Sequence, residues 1–250
     1  PAPPANNGRI IEEPMPAGIV SPQGKKIYMI TFVIGIGIPL GIIFLLNLLR
    51  FRIEGHTDVE KLTKVPIIGD IPLTGSNKHE ESAIAVREDD NDIMTETFRS
   101  LRTYLMFMMG DPDKKVVLVT STISGEGKTF IASNLALSLA LLGKKVILVG
   151  LDIRKPGLNK LFHLSHKEKG ITQYLVAPKS TDLHALIQPS GITSNLDLLL
   201  GGPIPPNPTE LLARQSLEDT ISTLRKEYDY IVLDTAPIGM VTDTLILSRV

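Results

Sequence analysis

The chain has 250 residues, 43% of them hydrophobic and 21% charged, with a formal net charge of -1. That balance excludes a disordered tail and a polycation built to neutralise a phosphate backbone, so no nucleic-acid partner is expected. The absence of cysteine excludes disulfides, thiolate catalysis and cysteine-ligated zinc or iron-sulfur clusters.

In chain order, residues 1–24 hold six of the 18 prolines, with Gly and Asn between them. Such a composition cannot bury enough apolar surface to order itself, and residues 1–26 read as an extended arm. Residues 27–49 carry no charge, and only Thr31 and Asn47 interrupt the apolar run. Twenty-three helical residues at about 1.5 Å each reach roughly 34 Å, enough to cross a hydrocarbon core of about 30 Å, and a transmembrane helix is expected here. The run is too long for a signal peptide, lies behind the proline arm and lacks a small-residue cleavage site. Lys25 and Lys26 on one side and Arg50 and Arg52 on the other leave the positive-inside rule undecided.

Residues 50–92 read as a juxtamembrane segment and linker, with a short proline-bounded strand from Val65 to Pro72 and a polar loop from Thr74 to Asp92. From residue 93 the spacing predicts a helix over Ile93 to Met109, stopped by Gly110-Asp111-Pro112. Strands are predicted at Val116–Thr120, Val146–Val149, Leu196–Leu200 and Ile231–Leu233, and helices over Lys128–Leu142 and Thr209–Lys226. Short, fully apolar strands alternating with helices predict an α/β fold with a parallel sheet covered on both faces, occupying residues 93–250. Pro1 in place of an initiating Met, and Val250 just after the apolar Leu245-Ile246-Leu247 run, read as a piece cut at both ends.

The strongest chemical signal is a buried strand, a loop Ser124-Gly125-Glu126-Gly127-Lys128-Thr129 and an apolar helix. Glycines let backbone N–H groups turn around phosphate oxygens, the helix N-terminus adds its positive dipole end, Lys128 neutralises β- and γ-oxygens, and Thr129 offers a hydroxyl to Mg²⁺. This is a phosphate-binding loop of P-loop NTPase type, in a variant with Thr122 where the general pattern has glycine. The strand Tyr230 to Asp234 ends in a carboxylate suited to Mg²⁺, the form of a Walker B element. A third strand runs into Gly150-Leu151-Asp152-Ile153-Arg154-Lys155-Pro156 and delivers Asp152 and Arg154 to the edge where open parallel sheets bind ligands. Taken alone, either Asp is equally well a helix cap or a turn residue; beside the phosphate-binding loop both read as metal and nucleotide ligands.

These residues, with Glu96-x-x-Arg99-x-x-Arg102 and the proline-rich stretch from Gly202 to Leu212, resemble the bacterial tyrosine kinases (BY-kinases) fused to polysaccharide co-polymerase membrane domains. The resemblance implies a membrane-anchored autokinase of the bacterial inner membrane that regulates capsular and exopolysaccharide polymerisation and export. It places the arm before the helix in the periplasm and the kinase in the cytoplasm. It further implies ATP and Mg²⁺ as cofactors, with Lys128, Asp152 and Asp234 catalytic and Thr129, Asp152 and Asp234 holding the metal. Ser124, Gly125, Glu126, Gly127, Lys128, Thr129 and Arg154 would bind nucleotide. Glu96, Arg99 and Arg102, which helical three-residue steps put near one face, would join kinase domains into a homo-oligomeric ring. The implied partners are the membrane, the polymerase and export machinery, and the C-terminal tyrosine tail of a neighbouring subunit, expected beyond Val250.

Two departures from the family stand out. The family pairs two aspartates as Asp-x-Asp, whereas here Gly150 stands in the first place; the family also phosphorylates a tyrosine cluster at its own C-terminus, whereas Tyr28, Tyr104, Tyr174, Tyr228 and Tyr230 form no such cluster. Gly150 keeps alive a non-enzymatic scaffold that binds nucleotide to set polysaccharide chain length. A partitioning or septum-positioning ATPase shares the architecture but carries a signature lysine where this chain has Ile123.

Overall fold

The computed structural model describes residues 23–49, 53, 55–72, 84–88, 92–111, 113–164, 169–239, 243–247 and 249. The anticipated proline-rich arm therefore lies, but for residues 23–26, outside the described residues, as does most of the anticipated loop from 74 to 92. Contacts divide the chain into two units, Pro1–Pro66 and Ile67–Val250.

In the first unit, helix α1 spans Gly24–Leu48, 25 residues, all of them exposed. It starts three residues ahead of the apolar run, taking in Gly24, Lys25 and Lys26, and is long and apolar enough to cross a membrane. The Thr31 hydroxyl donates to the Ile27 carbonyl at 2.9 Å, which satisfies within the helix a group that lipid could not. Pro39 lies inside the helix and removes one main-chain donor. A short helix α2, His56–Leu62, follows, with Asp58 and Lys61 one turn apart at 3.6 Å.

The second unit holds a five-stranded sheet. Its strands are β1 (Val116–Val119), β2 (Val146–Gly150), β3 (Ile187–Pro189), β4 (Leu196–Leu199) and β5 (Tyr230–Asp234), in spatial order β1-β5-β2-β4-β3. β1, β5, β2 and β4 are parallel, and β3 adds an antiparallel edge. Strand alternation divides the core between two faces. Val146 and Leu148 of β2 and Val232 of β5 pack on one side with α3 (Ile93–Met108) and α4 (Lys128–Leu141). Ile147, Val149, Ile231 and Leu233 pack on the other with α6 (Ile171–Val176), α7 (Pro208–Leu212) and α8 (Gln215–Glu227). Among the described residues the unit also has two short α-helices, α5 (Leu158–Leu161) and α9 (Asp243–Leu247), and a 3-10 turn at His184–Leu186.

Two sequence expectations are corrected, and one strand was not expected. Residues 65–72 form no strand: Pro66 and Pro72 lack an N–H for a ladder, and Ile68 and Ile71 pack individually against the core instead. The helix expected over Thr209–Lys226 is two helices, because Arg214 is extended at φ -74°, ψ 150° and donates from its side chain to the Leu175 carbonyl ending α6, at 3.2 Å. β3, at three residues, is too short for any periodicity to reveal.

Candidate active site

The loop between β1 and α4 turns at Gly125 and Gly127, with φ of 93° and 87°, a region closed to most side chains. The turn leaves the first-turn amides of α4 without intrahelical partners, where an anion binds. Its incoming arm runs beside residues 238–239: Ile238 N–H donates to the Ser121 carbonyl at 2.8 Å and Gly239 N–H to that of Thr122 at 3.1 Å. Glu126, assigned from sequence to the nucleotide, folds its carboxylate back over its own loop. Its Oε2 accepts from the Thr122 and Ile123 amides at 2.7 and 3.1 Å, so its side chain braces the loop. Ser124 and Gly125 stand exposed at the tip.

Because β5 lies between β1 and β2, Asp234 at its end sits between the phosphate-binding loop and the turn carrying Asp152. Thr129 Oγ1 donates to Asp234 Oδ2 at 2.9 Å. The Asp234 carbonyl accepts from the Leu151 and Asp152 amides at 2.8 and 3.0 Å. Asp152 Oδ2 lies 2.8 Å from Lys128 Nζ, and its Oδ1 accepts from the Lys155 amide at 3.0 Å. Lys128, Thr129, Asp152 and Asp234, separated by up to 106 positions in sequence, thus converge at the carboxyl edge of the sheet.

Asp234 is 1% exposed, and its Oδ1 is buried with no hydrogen-bond partner. Burial pushes its carboxyl up to about 6; the Lys128 charge and the Thr129 hydrogen bond oppose that, and the Asp152 charge adds to it. A bare buried carboxylate oxygen beside a threonine hydroxyl and a second carboxylate is a donor set that fits Mg²⁺, a hard cation that takes oxygen ligands. Among the described residues no three His, Asp or Glu side chains cluster, so an ion held here completes its shell with phosphate and water, as Mg²⁺ usually does.

Gly150 lies in register with Asp234. A Cβ there would stand 3.1 Å from both the Gly201 nitrogen and Leu158 Cδ1, a tight fit that a first carboxylate at this position would enter only if both neighbours gave by a few tenths of an ångström. Arg154 points to α7 and α9: Nε is 2.8 Å from Asp243 Oδ2, and Nη2 reaches Thr209 Oγ1 at 2.7 Å. Sequence reasoning gave no role to Thr209, which lies in the stretch from Gly202 to Leu212, or to Asp243, which stands in no motif.

The three charges on α3 are neighbours but take different hydrogen-bond partners. Glu96 and Arg99 pair on the exposed side, and Arg99 Nη2 also donates to the Glu88 carbonyl at 3.3 Å. Arg102 turns inward and donates to the Ser138 carbonyl of α4 at 2.8 Å.

With this geometry in place, the likeness to known proteins decides the family. The family described as AAA domain matches residues 114–248. Tyrosine-protein kinase YwqD of Bacillus subtilis strain 168 is 36% identical over 174 residues, covering 70% of this chain and 71% of its own. The chain belongs to the bacterial tyrosine-protein kinases. Tyrosine-protein kinase etk of Escherichia coli K12 is 28% identical over 265 residues, covering 97% of this chain and 35% of its own. The solved kinase domain of Escherichia coli ETK superposes with a TM-score of 0.70 at 28% identity, over 79% of this chain and 78% of that one. The chain spans about a third of the length of the long curated relatives it matches. The loop from Ser124 to Thr129 and the carboxylates Asp152 and Asp234 lie within the region that the family model matches.

Proposed function

We propose that the chain transfers the γ-phosphoryl group of ATP to tyrosine hydroxyls, on its own subunits first, and thereby regulates capsular or exopolysaccharide assembly and export. The observation that carries this reading is the convergence of Lys128, Thr129, Asp152 and Asp234 at one sheet edge, in a chain of the tyrosine-kinase family. Lys128 uses one N–H donor on Asp152 and keeps two for phosphate oxygens, and the loop amides hold the rest. Thr129, Asp152 and Asp234 would hold Mg²⁺, which when bound neutralises charge on the transferring group. Asp152 accepts the phenolic proton as the tyrosine oxygen forms its bond to phosphorus and the bond to the ADP oxygen breaks. With a phenol of pKa about 10, orientation of the acceptor counts for more than the strength of the base.

The organisation follows the same reading: residues 1–26 a periplasmic arm, 27–49 the membrane span, 50–92 a cytoplasmic juxtamembrane segment and 93–250 the kinase domain. The exposed Glu96–Arg99 pair, with Tyr104 at 61% and Phe107 at 87% exposure on the same helix, supports a ring contact through α3. Each ring member would present its tyrosine tail to the next, and the added charge of about -1.5 to -2 per phosphate would loosen the ring. A second reading, a scaffold that binds nucleotide without transferring phosphate, rests on Gly150 alone.

Mass spectrometry of the full-length protein after incubation with Mg-ATP, beside Lys128→Ala, separates the two. The kinase produces phosphotyrosine that disappears with Lys128→Ala; nucleotide binding without phosphotyrosine sinks the kinase reading in favour of the scaffold.

A further inference from the structure

Arg154, Thr209 and Asp243 come from three separate segments and close a ring of hydrogen bonds. Arg154 Nε donates to Asp243 Oδ2 at 2.8 Å, and Nη2 donates to Asp243 Oδ1 at 3.3 Å and to Thr209 Oγ1 at 2.7 Å. The Thr209 hydroxyl in turn donates to Asp243 Oδ1 at 2.7 Å. Arg154 lies in the turn after β2, Thr209 near the start of α7, and Asp243 opens α9. The Asp243 side chain is 1% exposed. Burial alone would push its carboxyl up; the hydrogen bonds from Arg154 and Thr209 and the Arg154 charge outweigh burial and hold it below the usual range. A buried carboxylate gripped by a planar fork fixes that fork in both position and orientation.

Only Ile153 separates Arg154 from Asp152. At the start of the turn, the Leu151 and Asp152 amides are tied to the Asp234 carbonyl. At its end, the Lys155 amide holds Asp152 Oδ1, while Asp152 Oδ2 faces Lys128. Arg154 sits between these anchors, and its guanidinium is committed to α7 and α9.

We propose that Thr209 and Asp243 are positioning residues that grip Arg154 and thereby hold the 152–155 turn so that the Asp152 carboxylate is aimed at the phosphoryl-transfer centre. The role of Asp152 rests on the proposed kinase function; the latch on the turn does not. Thr209 is its pin, since one hydroxyl both accepts from Arg154 and donates to Asp243. Valine keeps the shape of threonine and loses both bonds, whereas serine keeps both.

The test uses the full-length protein with Thr209→Val, Thr209→Ser and Asp243→Asn. Hydrogen exchange is followed on the peptide spanning residues 152–157, together with kcat and the KM for ATP. With Thr209→Val, the Lys155 amide exchanges faster, and kcat falls about tenfold while KM stays within about twofold, the signature of lost alignment rather than lost binding. Thr209→Ser matches wild type in both readouts, and Asp243→Asn goes further than Thr209→Val. Should Asp243→Asn fail to fold, the valine and serine pair still decides. The proposal is overturned if Thr209→Val exchanges and turns over like wild type, or if Thr209→Ser is as impaired as Thr209→Val, which would make packing the cause. A wild type that makes no phosphotyrosine, while the valine variant still loosens the turn, would remove the kinase reading and uphold the latch.

Discussion

Asp234 takes a hydrogen bond from Thr129 on Oδ2 and none on Oδ1, and it is 1% exposed. Its carboxyl titrates near 6 in the fold against 3.8 unperturbed, so between those values the native state binds more protons than the unfolded chain. The linkage therefore runs opposite to that of a salt-bridged carboxylate: Asp234 lowers stability as pH rises from about 4 to about 6, by up to about 3 kcal/mol. We expect the protein without nucleotide to melt at a higher temperature at pH 5 than at pH 7.5 through this group. Asp234→Asn should abolish that component and raise Tm at pH 7.5, as differential scanning fluorimetry would show. Binding of Mg-ATP should weaken as pH falls through about 6, since a protonated Asp234 no longer attracts a cation. An Asp234→Asn protein with the same Tm profile as wild type would contradict this account. The type of each site residue was legible from the loop and strand motifs, but the bonding was not. Glu126 bracing its own loop and Arg154 turned to Asp243 depend on side-chain directions that a linear pattern does not carry.

The elements meet through a few specific contacts. Asn134 of α4, fully buried, accepts from the Ala85 and Val86 amides at 2.7 and 3.0 Å and donates to the Phe130 carbonyl at 2.9 Å. The helix that begins at Lys128 is thereby fastened to the segment ahead of α3, and Phe98 and Phe130 add an edge-to-face contact at 5.8 Å. On the other face, α6 starts against the end of β4: Ile171 and Thr172 amides donate to the Leu200 and Gly201 carbonyls at 2.8 and 3.1 Å. Gly170 makes this approach possible, because a Cβ there would lie 2.4 Å from both the Gly202 nitrogen and the Leu200 oxygen. Both are main-chain atoms that cannot step aside. Gly170→Ala should therefore destabilise the second unit by roughly 3 kcal/mol, at the upper end for an overpacked site. Chemical denaturation would read that as a lower midpoint at unchanged slope; an unchanged midpoint would mean the junction yields freely. The four parallel strands and α4 were legible because each is a predominantly apolar run bounded by turn or loop residues. The break between α7 and α8 was not, since Arg214 becomes extended to reach α6, a partner distant in sequence.

At the scale of the whole molecule, the charges on α3 divide into two tasks. Arg102 is bound inward to the Ser138 carbonyl, and burial together with the Arg99 charge pulls its guanidinium below the ordinary value. Glu96 and Arg99 face outward. Arg102→Ala should lower Tm by leaving the Ser138 carbonyl and the space around it unsatisfied, a loss of about 1 to 3 kcal/mol. Glu96→Ala with Arg99→Ala should leave Tm nearly unchanged and shift the sedimentation profile toward smaller species. Equal effects of both variants on Tm, or on assembly, would refute the division.

The class of the molecule was readable residue by residue along the chain: an apolar helix, a phosphate-binding loop, and carboxylates at strand ends. These are local features, set by residue type and by spacings that backbone geometry turns directly into helix, strand or loop. Tertiary structure alone decided which of those residues meet. β5, far along the chain, inserts between β1 and β2 and brings Asp234 to Thr129. α7 and α9 close on Arg154 through Thr209 and Asp243, contacts that its motif did not announce. Strand order and helix docking depend on burying two apolar faces at once, and that is a property of the folded whole rather than of any window of sequence.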